Sequence, residues 1–485
     1  MDAATKTKYI KLQWKTLIVL IIGYTCYYFL RKNFSAAIPA MEAELGLSKV
    51  QLGTFLTLNG IVYGLSRMIN GLLADRYSKR NLMSLGLLLS CVINLLICFS
   101  PKMNGFMNLL DAEGKATMGL VYLIGSLWVL NGYVHGMGYP PTAAMMAHWF
   151  RPSELATKQS IWNSSHSIGA GLVLALCGWL LSRFGYSAWN LCFIIPAAIA
   201  FIGAIVMFTT LKDDPTDCGL PSVTEFERET RRETAAVLSP EEKTEQKEEK
   251  KVDRKEEQLT GTRYKKFISR MVFRNPIIWG ISIADFCVYV IRFTILDWGT
   301  SFLTQYKGLD IALAASIVAV SEILGGVLGT IVWGWMTDRV FKSKTLRTSA
   351  LCTLGATLCF TAFWRLPADA HWFWCALFIV ASAFFIYGPQ ALLGVSCSQY
   401  GTRRASGSAN GLCGIFCYAA TFISGVGFGW LADRPEYGWN YVFIVAIVFG
   451  LIGTGILAAL WGAPANGYDR AERVMAEIDA EEQSR

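Results

Sequence analysis

The chain has 485 residues, of which 53% are apolar and only 16% charged, and its mean hydropathy is +0.38. A water-soluble protein of this length does not carry so apolar a composition, so a membrane protein is expected. The net charge of +8 sits at the ends of apolar runs rather than in one patch, which argues against a nucleic-acid surface and reads as an orientation signal.

Twelve apolar runs recur along the chain, at about 16–36, 52–74, 82–100, 119–147, 158–182, 188–210, 275–305, 311–336, 346–365, 371–398, 405–432 and 438–463. Each approaches the roughly 20 residues a helix needs to cross the hydrocarbon core. Only a helix satisfies its backbone polar groups within one such segment, so an all-α membrane protein with twelve transmembrane helices follows. The first run follows Lys6, Lys8, Lys11 and Lys15, like a secretory signal, but it is too long for one and ends in Arg31 and Lys32, so a retained helix is expected. Basic residues cluster after runs 2, 4, 8 and 10, including Lys79, Arg80, Arg151, Lys158, Lys342, Lys344, Arg403 and Arg404, which places those loops and both termini on the cytoplasmic side.

Helix 1 contains Tyr28, Arg31 and Lys32 within GYTCYYFLRKNFSAAIP, and helix 7 repeats the spacing with Tyr289 and Arg292. A charge inside a membrane helix costs about 2.5–3.5 kcal/mol on insertion scales. Two such arginines brought face to face call for an anion between them, and the planar guanidinium fork matches phosphate oxygens. Two bland alternatives stand beside this: Arg31 snorkels to the outer interface, or Arg292 pairs permanently with Asp297 or Glu322. Helix 2 adds Asn59 and Arg67, the helix 4 region His135 and Tyr139, helix 5 Asn163 and His166, and helix 11 Asn410, all candidates for the cavity wall. His166 is either a phosphate-side donor or an ordinary interhelical hydrogen-bonding group.

A short pattern closes helices 2, 5, 8 and 11: GLLADR, GWLLSR, GWMTDR and GWLADR. Every third helix is therefore equivalent, and alternate three-helix units run inverted. This resembles the nested arrangement of the major facilitator fold, which implies two pseudo-symmetric six-helix halves. The expected organisation is a first half at 1–213, a charged cytoplasmic linker at 214–274, a second half at 275–463 and a tail at 464–485. GLLADRYSK and GWMTDRVFK resemble the cytoplasmic loop signature of the major facilitator superfamily, which implies that Asp75, Arg76, Asp338 and Arg339, at the ends of helices 2 and 8, form a cytoplasmic gate that pairs charges or caps a neighbouring helix; the alternative is charge that only sets topology. Of 13 cysteines, twelve fall in predicted helices and only Cys218 in a loop, with no spacing that suggests a metal, so packing thiols are expected.

The segments GYTCYYFLRKNFSAAIP, HGMGYPP, WNSSHSIGAG, DDPTDCGLP, VYVIRFTILDWG and YGPQALLG together resemble the organophosphate:phosphate antiporters, over almost the whole chain. The resemblance implies exchange of glycerol-3-phosphate or hexose-6-phosphate against inorganic phosphate by alternating access, in a bacterial inner membrane. It also implies that Arg31 and Arg292 grip the phosphate with His166 beside it, and that no cofactor or metal takes part. The chain departs from the family's patterns at Arg67, His135, Asn410 and Cys413, which weakens transfer of a particular sugar specificity. A second reading is a transporter-like sensor of external sugar phosphate that signals to a membrane kinase. No P-loop, metal cluster or nucleophile motif suggests an enzyme.

Overall fold

The computed structural model describes residues 3–103, 108–150, 152–223, 225–226, 261–341, 344–367, 369–434, 438–464 and 467–483. The side chains of Asp75, Arg76 and Asp338 lie outside the described set, as does 227–260, which holds most of the expected linker. Membrane helices are α1 (Ala3–Leu45), α2 (Lys49–Arg76), α3 (Lys79–Phe99), α4 (Met118–Met146), α5 (Pro152–Phe184) and α6 (Leu191–Thr210) in the first half. The second half has α7 (Pro276–Gln305), α8 (311–339), α9 (Thr345–Arg365), α10 (Trp372–Thr402), α11 (Ser408–Asp433) and α12 (Gly438–Ala459). A short helix with a π-helical end (261–273) precedes α7, and a tail helix (Tyr468–Gln483) follows α12.

The twelve crossings and the two-half architecture agree with the sequence reading. Packing repeats between halves: α1 lies against α6 and α3 against α6, as α7 and α9 lie against α12. Between halves, α5 lies against α8 and α2 against α11.

Several boundaries differ from the expected spans. Helix α1 runs to Leu45, so its basic pair is not near the end: 14 residues follow Arg31, about 21 Å at 1.5 Å per residue. The run at 119–147 is one path broken at Gly136–Gly138, after His135, and restarts at Tyr139 with Pro140 in its first turn, where a missing N–H costs nothing. Thr402 takes φ 55°, ψ 178°, and this kink separates α10 from α11. Helices α8 and α11 each contain a π-helical stretch, Ser321–Gly329 and Phe422–Gly427, rich in glycine where another helix crosses closely.

With twelve crossings, the start of α1 and the end of α12 lie on one face, termed the terminal face. At the opposite, distal face the halves are locked. A Cβ built on Gly53 of α2 would stand 2.2 Å from the carbonyl oxygen of Gly425 in α11, so only glycine permits this approach. Asp433, the acid of the fourth repeat, accepts from the backbone N–H groups of Lys49 at 3.0 Å and Val50 at 2.8 Å. It thereby caps the positive end of α2 across the interface, beside the local Ser48–Gln51 capping box. Thr57 Oγ1 donates to the Thr421 carbonyl at 2.8 Å, a further tie between the same helices.

Candidate anion site between the halves

A cavity of about 230 Å³ lies between the halves, walled by α1, α2, α4, α5, α7, α8, α10 and α11. Of the residues singled out from sequence, Tyr28, Arg31, Lys32, Arg67, Tyr139, Asn163, His166, Tyr289 and Arg292 line it. Both halves thus contribute an arginine at equivalent positions, and α2 contributes a third.

The arginines are held by rings rather than by carboxylates. Arg31 lies 3.9 Å over the Tyr63 ring and 5.6 Å from that of Tyr28. Arg67 lies 4.2 Å over Tyr139 and its Nη1 donates to the Tyr418 hydroxyl at 3.2 Å. Arg292 Nη2 donates to the Tyr387 hydroxyl at 3.4 Å, and that hydroxyl in turn donates to Glu322. Arg292 Nε is buried with no hydrogen-bond partner. A π face attracts a guanidinium by roughly 2 kcal/mol when desolvated and leaves its charge uncancelled. Among the described residues no carboxylate pairs directly with Arg31, Arg67 or Arg292. The cavity is therefore electropositive and presents unfilled donors, the arrangement that accepts an anion.

Lys32 is different. Its Nζ donates to Asp297 at 2.6 Å, with both side chains under a tenth exposed, and Ser35 Oγ donates to the same carboxylate oxygen at 3.1 Å. Asp297 is thus spent on Lys32 and is not the counter-ion of Arg292, and this pair ties α1 to α7.

His166 is buried on α5 with its ring 5.6 Å from that of Tyr28 and edge-on to it. Its Nδ1–H donates to the Asn163 carbonyl, and Nε2 faces Ser167 Oγ at 3.4 Å. With Nδ1 as donor, a neutral ring offers only an Nε2 lone pair, so it accepts from a phosphate P–OH, and it donates to phosphate oxygen only as imidazolium.

Five expected cavity residues stand outside the lining. Asn59 is turned into the first half, where its Nδ2 donates to the Trp128 carbonyl at 2.6 Å. His135 is packed edge-on against Tyr27 and contacts Ser90 Oγ at 3.0 Å. Asp297 and Glu322 act from behind, through Lys32 and Tyr387. The side-chain oxygen of Asn410 lies 3.7 Å from where a Cβ on Gly394 would be, so it packs between α10 and α11. Of the gate group, Arg339 is exposed, and the side chains of Asp75, Arg76 and Asp338 lie outside the described residues.

The sequence reading missed Tyr24, Tyr63, Tyr387, Gln390 and Tyr418, which complete the wall together with Phe293, Thr330 and Ala391. A tyrosine on an apolar helix carries no signal of which face it presents. YGPQALLG, which contains Tyr387 and Gln390, was marked only through family resemblance. Asp285, Cys413 and Cys417 also come together, with ligand atoms within 4.8 Å of one another. This grouping spans α7 and α11, so spacing along the chain gives no sign of it. The two thiols donate to Asp285 Oδ2 at 3.1 and 2.8 Å. All thirteen cysteines are free.

The Major Facilitator Superfamily model matches residues 20–426. The chain is 32% identical to the glycerol-3-phosphate transporter of Bacillus subtilis (strain 168), over 98% of this chain and 96% of that one. It is 28% identical to a probable hexose phosphate transport protein of Chlamydia pneumoniae over 94% and 93%. It is also 29% identical to the membrane sensor protein UhpC of Escherichia coli (strain K12) over 92% and 91%. Among solved structures, a bacterial homologue of the human lysosomal transporter Spinster, inward-facing and unoccupied, superposes with a TM-score of 0.67 at 14% identity, over 96% of this chain and 98% of that chain. This is an integral, multi-pass membrane protein of the Major Facilitator Superfamily, and within it the chain belongs to the organophosphate:phosphate antiporter family.

Proposed function

We propose that the chain exchanges a phosphorylated metabolite, glycerol-3-phosphate or a hexose-6-phosphate, for inorganic phosphate by alternating access. The observation that carries this is that Arg31 and Arg292, from the two halves and neither paired with a carboxylate among the described residues, line one cavity with His166 and the tyrosines. A phosphate bridging the two arginines joins the halves, and Arg67 supplies a third positive group for a second anionic or hydroxyl-bearing part of the substrate. The relatives' names support a sugar- or glycerol-phosphate cargo.

The halves rock about this site. The distal clasp is Asp433 of α11 capping the start of α2, and its counterpart in the repeat is Asp75, which by symmetry caps the start of α11 when the terminal face closes. Asp338 and the adjoining arginines act in the same region. With basic loops on the terminal face, that face is cytoplasmic, and the membrane is the bacterial inner membrane. Residues 214–274 join the halves as a tether.

The test is exchange of labelled phosphate in proteoliposomes against glycerol-3-phosphate, glucose-6-phosphate and an uncharged sugar. Exchange restricted to the phosphorylated compounds supports the reading, and its absence with intact binding favours the sensor reading, to which the UhpC relative gives some weight.

A further inference from the structure

A second pocket, of about 650 Å³, lies away from the central cavity on the terminal face, between the 261–273 helix and the tail helix. Four arginines and two glutamates line it: Arg270, Arg274, Arg470, Arg473, Glu477 and Glu481. Arg270 is committed, donating to Glu477 at 3.3 Å and to Glu481. Lys266 donates to Glu481 at 3.0 Å. Two of the remaining three, Arg470 and Arg473, donate to backbone carbonyls. Arg470 Nη2 donates to the carbonyls of Arg270 at 3.3 Å and Arg274 at 3.1 Å, and its Nε is buried without a partner. Arg473 Nε donates to the Asp469 carbonyl at 3.2 Å. Among the described residues, none of Arg274, Arg470 and Arg473 pairs with a carboxylate.

This placement is unfavourable without a ligand. Arg470 and Arg473 stand in the first turns of the tail helix, where the peptide dipole repels cations and attracts anions. Arg274 lies one residue before Asn275, the N-cap of α7, a second positive helix end. Exposed aromatic side chains, Phe273, Trp279, Trp461 and Tyr468, stand beside the ends of α7 and α12, as at the level of lipid headgroups.

We propose that this pocket binds a phosphate group, carried by an anionic lipid headgroup or by a soluble phosphate compound, independently of the central site. Bound there, the anion bridges Arg274 to Arg470 and Arg473 and so pins the tail helix to the base of α7.

The test uses the purified full chain in detergent, with phosphatidylglycerol against phosphatidylcholine as lipid probes and inorganic phosphate as the soluble probe. The phosphate arm is run in the Arg292→Lys protein, in which the central site is weakened, so that the second site is read above it. Binding is read by native mass spectrometry for lipid and by equilibrium dialysis of labelled phosphate. Replacing Arg274 and Arg473, both exposed, with Gln removes two charge-assisted contacts and weakens binding by roughly tenfold or more. Replacing Glu477 with Gln removes one of the two carboxylates held by Arg270 and takes a negative charge off the pocket wall, so it strengthens binding, an opposite sign that misfolding does not produce. Loss confined to phosphatidylglycerol identifies a lipid site, and loss of phosphate binding a soluble-anion site. Equal binding by the parent and the Arg274→Gln/Arg473→Gln protein, or no binding of either probe, overturns the proposal.

Discussion

Replacing Arg292 with Lys keeps the positive charge and removes the fork. In the structure Arg292 spends Nη2 on Tyr387 and keeps Nε buried and unbonded, so the guanidinium holds one anchor while still presenting donors to an anion. An ammonium on a shorter stem cannot hold Tyr387 and grip two phosphate oxygens together. The expected loss is one charge-assisted hydrogen bond, about 1.5–3 kcal/mol. At 1.4 kcal/mol per tenfold, this is roughly a 10- to 100-fold weaker phosphate affinity. The assay is the apparent affinity for phosphate in proteoliposome exchange, with size-exclusion behaviour in detergent as the folding control. An Arg292→Lys protein with phosphate affinity within about twofold of the parent refutes the assignment of the site to α7.

Breaking the Lys32–Asp297 pair from one side, by Lys32→Met or Asp297→Asn, leaves a buried group uncompensated and costs about 3–5 kcal/mol, whereas the double variant recovers most of the stability. Thermal unfolding in detergent checks this, and a double variant no better than the worse single one contradicts it. Gly53→Leu places a side chain against the Gly425 carbonyl and blocks distal closure, so phosphate exchange is lost while phosphate binding in detergent persists. Intact exchange by this variant shows that the distal contact need not form. Hydrogen bonds from Arg270 and then Lys266 hold the Glu481 carboxyl down at about 2, below its ordinary value near 4.3. A depressed acid stabilises docking above its ordinary value and loses that contribution as pH falls from about 4.3 through 2. Hydrogen-exchange protection along Tyr468–Gln483, taken relative to the intrinsic amide rate at each pH, should therefore fall at acid pH, and less so in Glu481→Gln.

The membrane class, the two halves and the arginine pair were legible because each leaves a signal in one dimension: apolar length, a repeated G-x-x-x-[DS]-R spacing, and a charge where charges are costly. Side-chain direction left none. Asn59 and His135 are polar and sit on cavity helices, yet both point into the packing of the first half, satisfied by Trp128 and Ser90. Tyr63 and Tyr418 read as ordinary apolar-face aromatics, and only the assembled bundle stacks them on Arg31 and Arg67. The identity of the partner of Asp297 also depends on three dimensions, since Arg292 lies on the same helix, whereas Lys32, which holds it, is 265 residues away along the chain. Helix ends were misjudged where a helix outran its apolar stretch, as α1 does by continuing to Leu45.

The central claim is that an anion bridging Arg31 and Arg292 is required for the halves to pass through the closed intermediate. Two uncancelled guanidiniums repel strongly in a low-dielectric cavity, and a phosphate between them favours the occluded arrangement by differential contact. The direct measurement is efflux of labelled phosphate from proteoliposomes at zero membrane potential, with and without external phosphate or glycerol-3-phosphate. The account predicts rapid efflux only when an external substrate is present, and efflux into phosphate-free buffer as fast as exchange contradicts it.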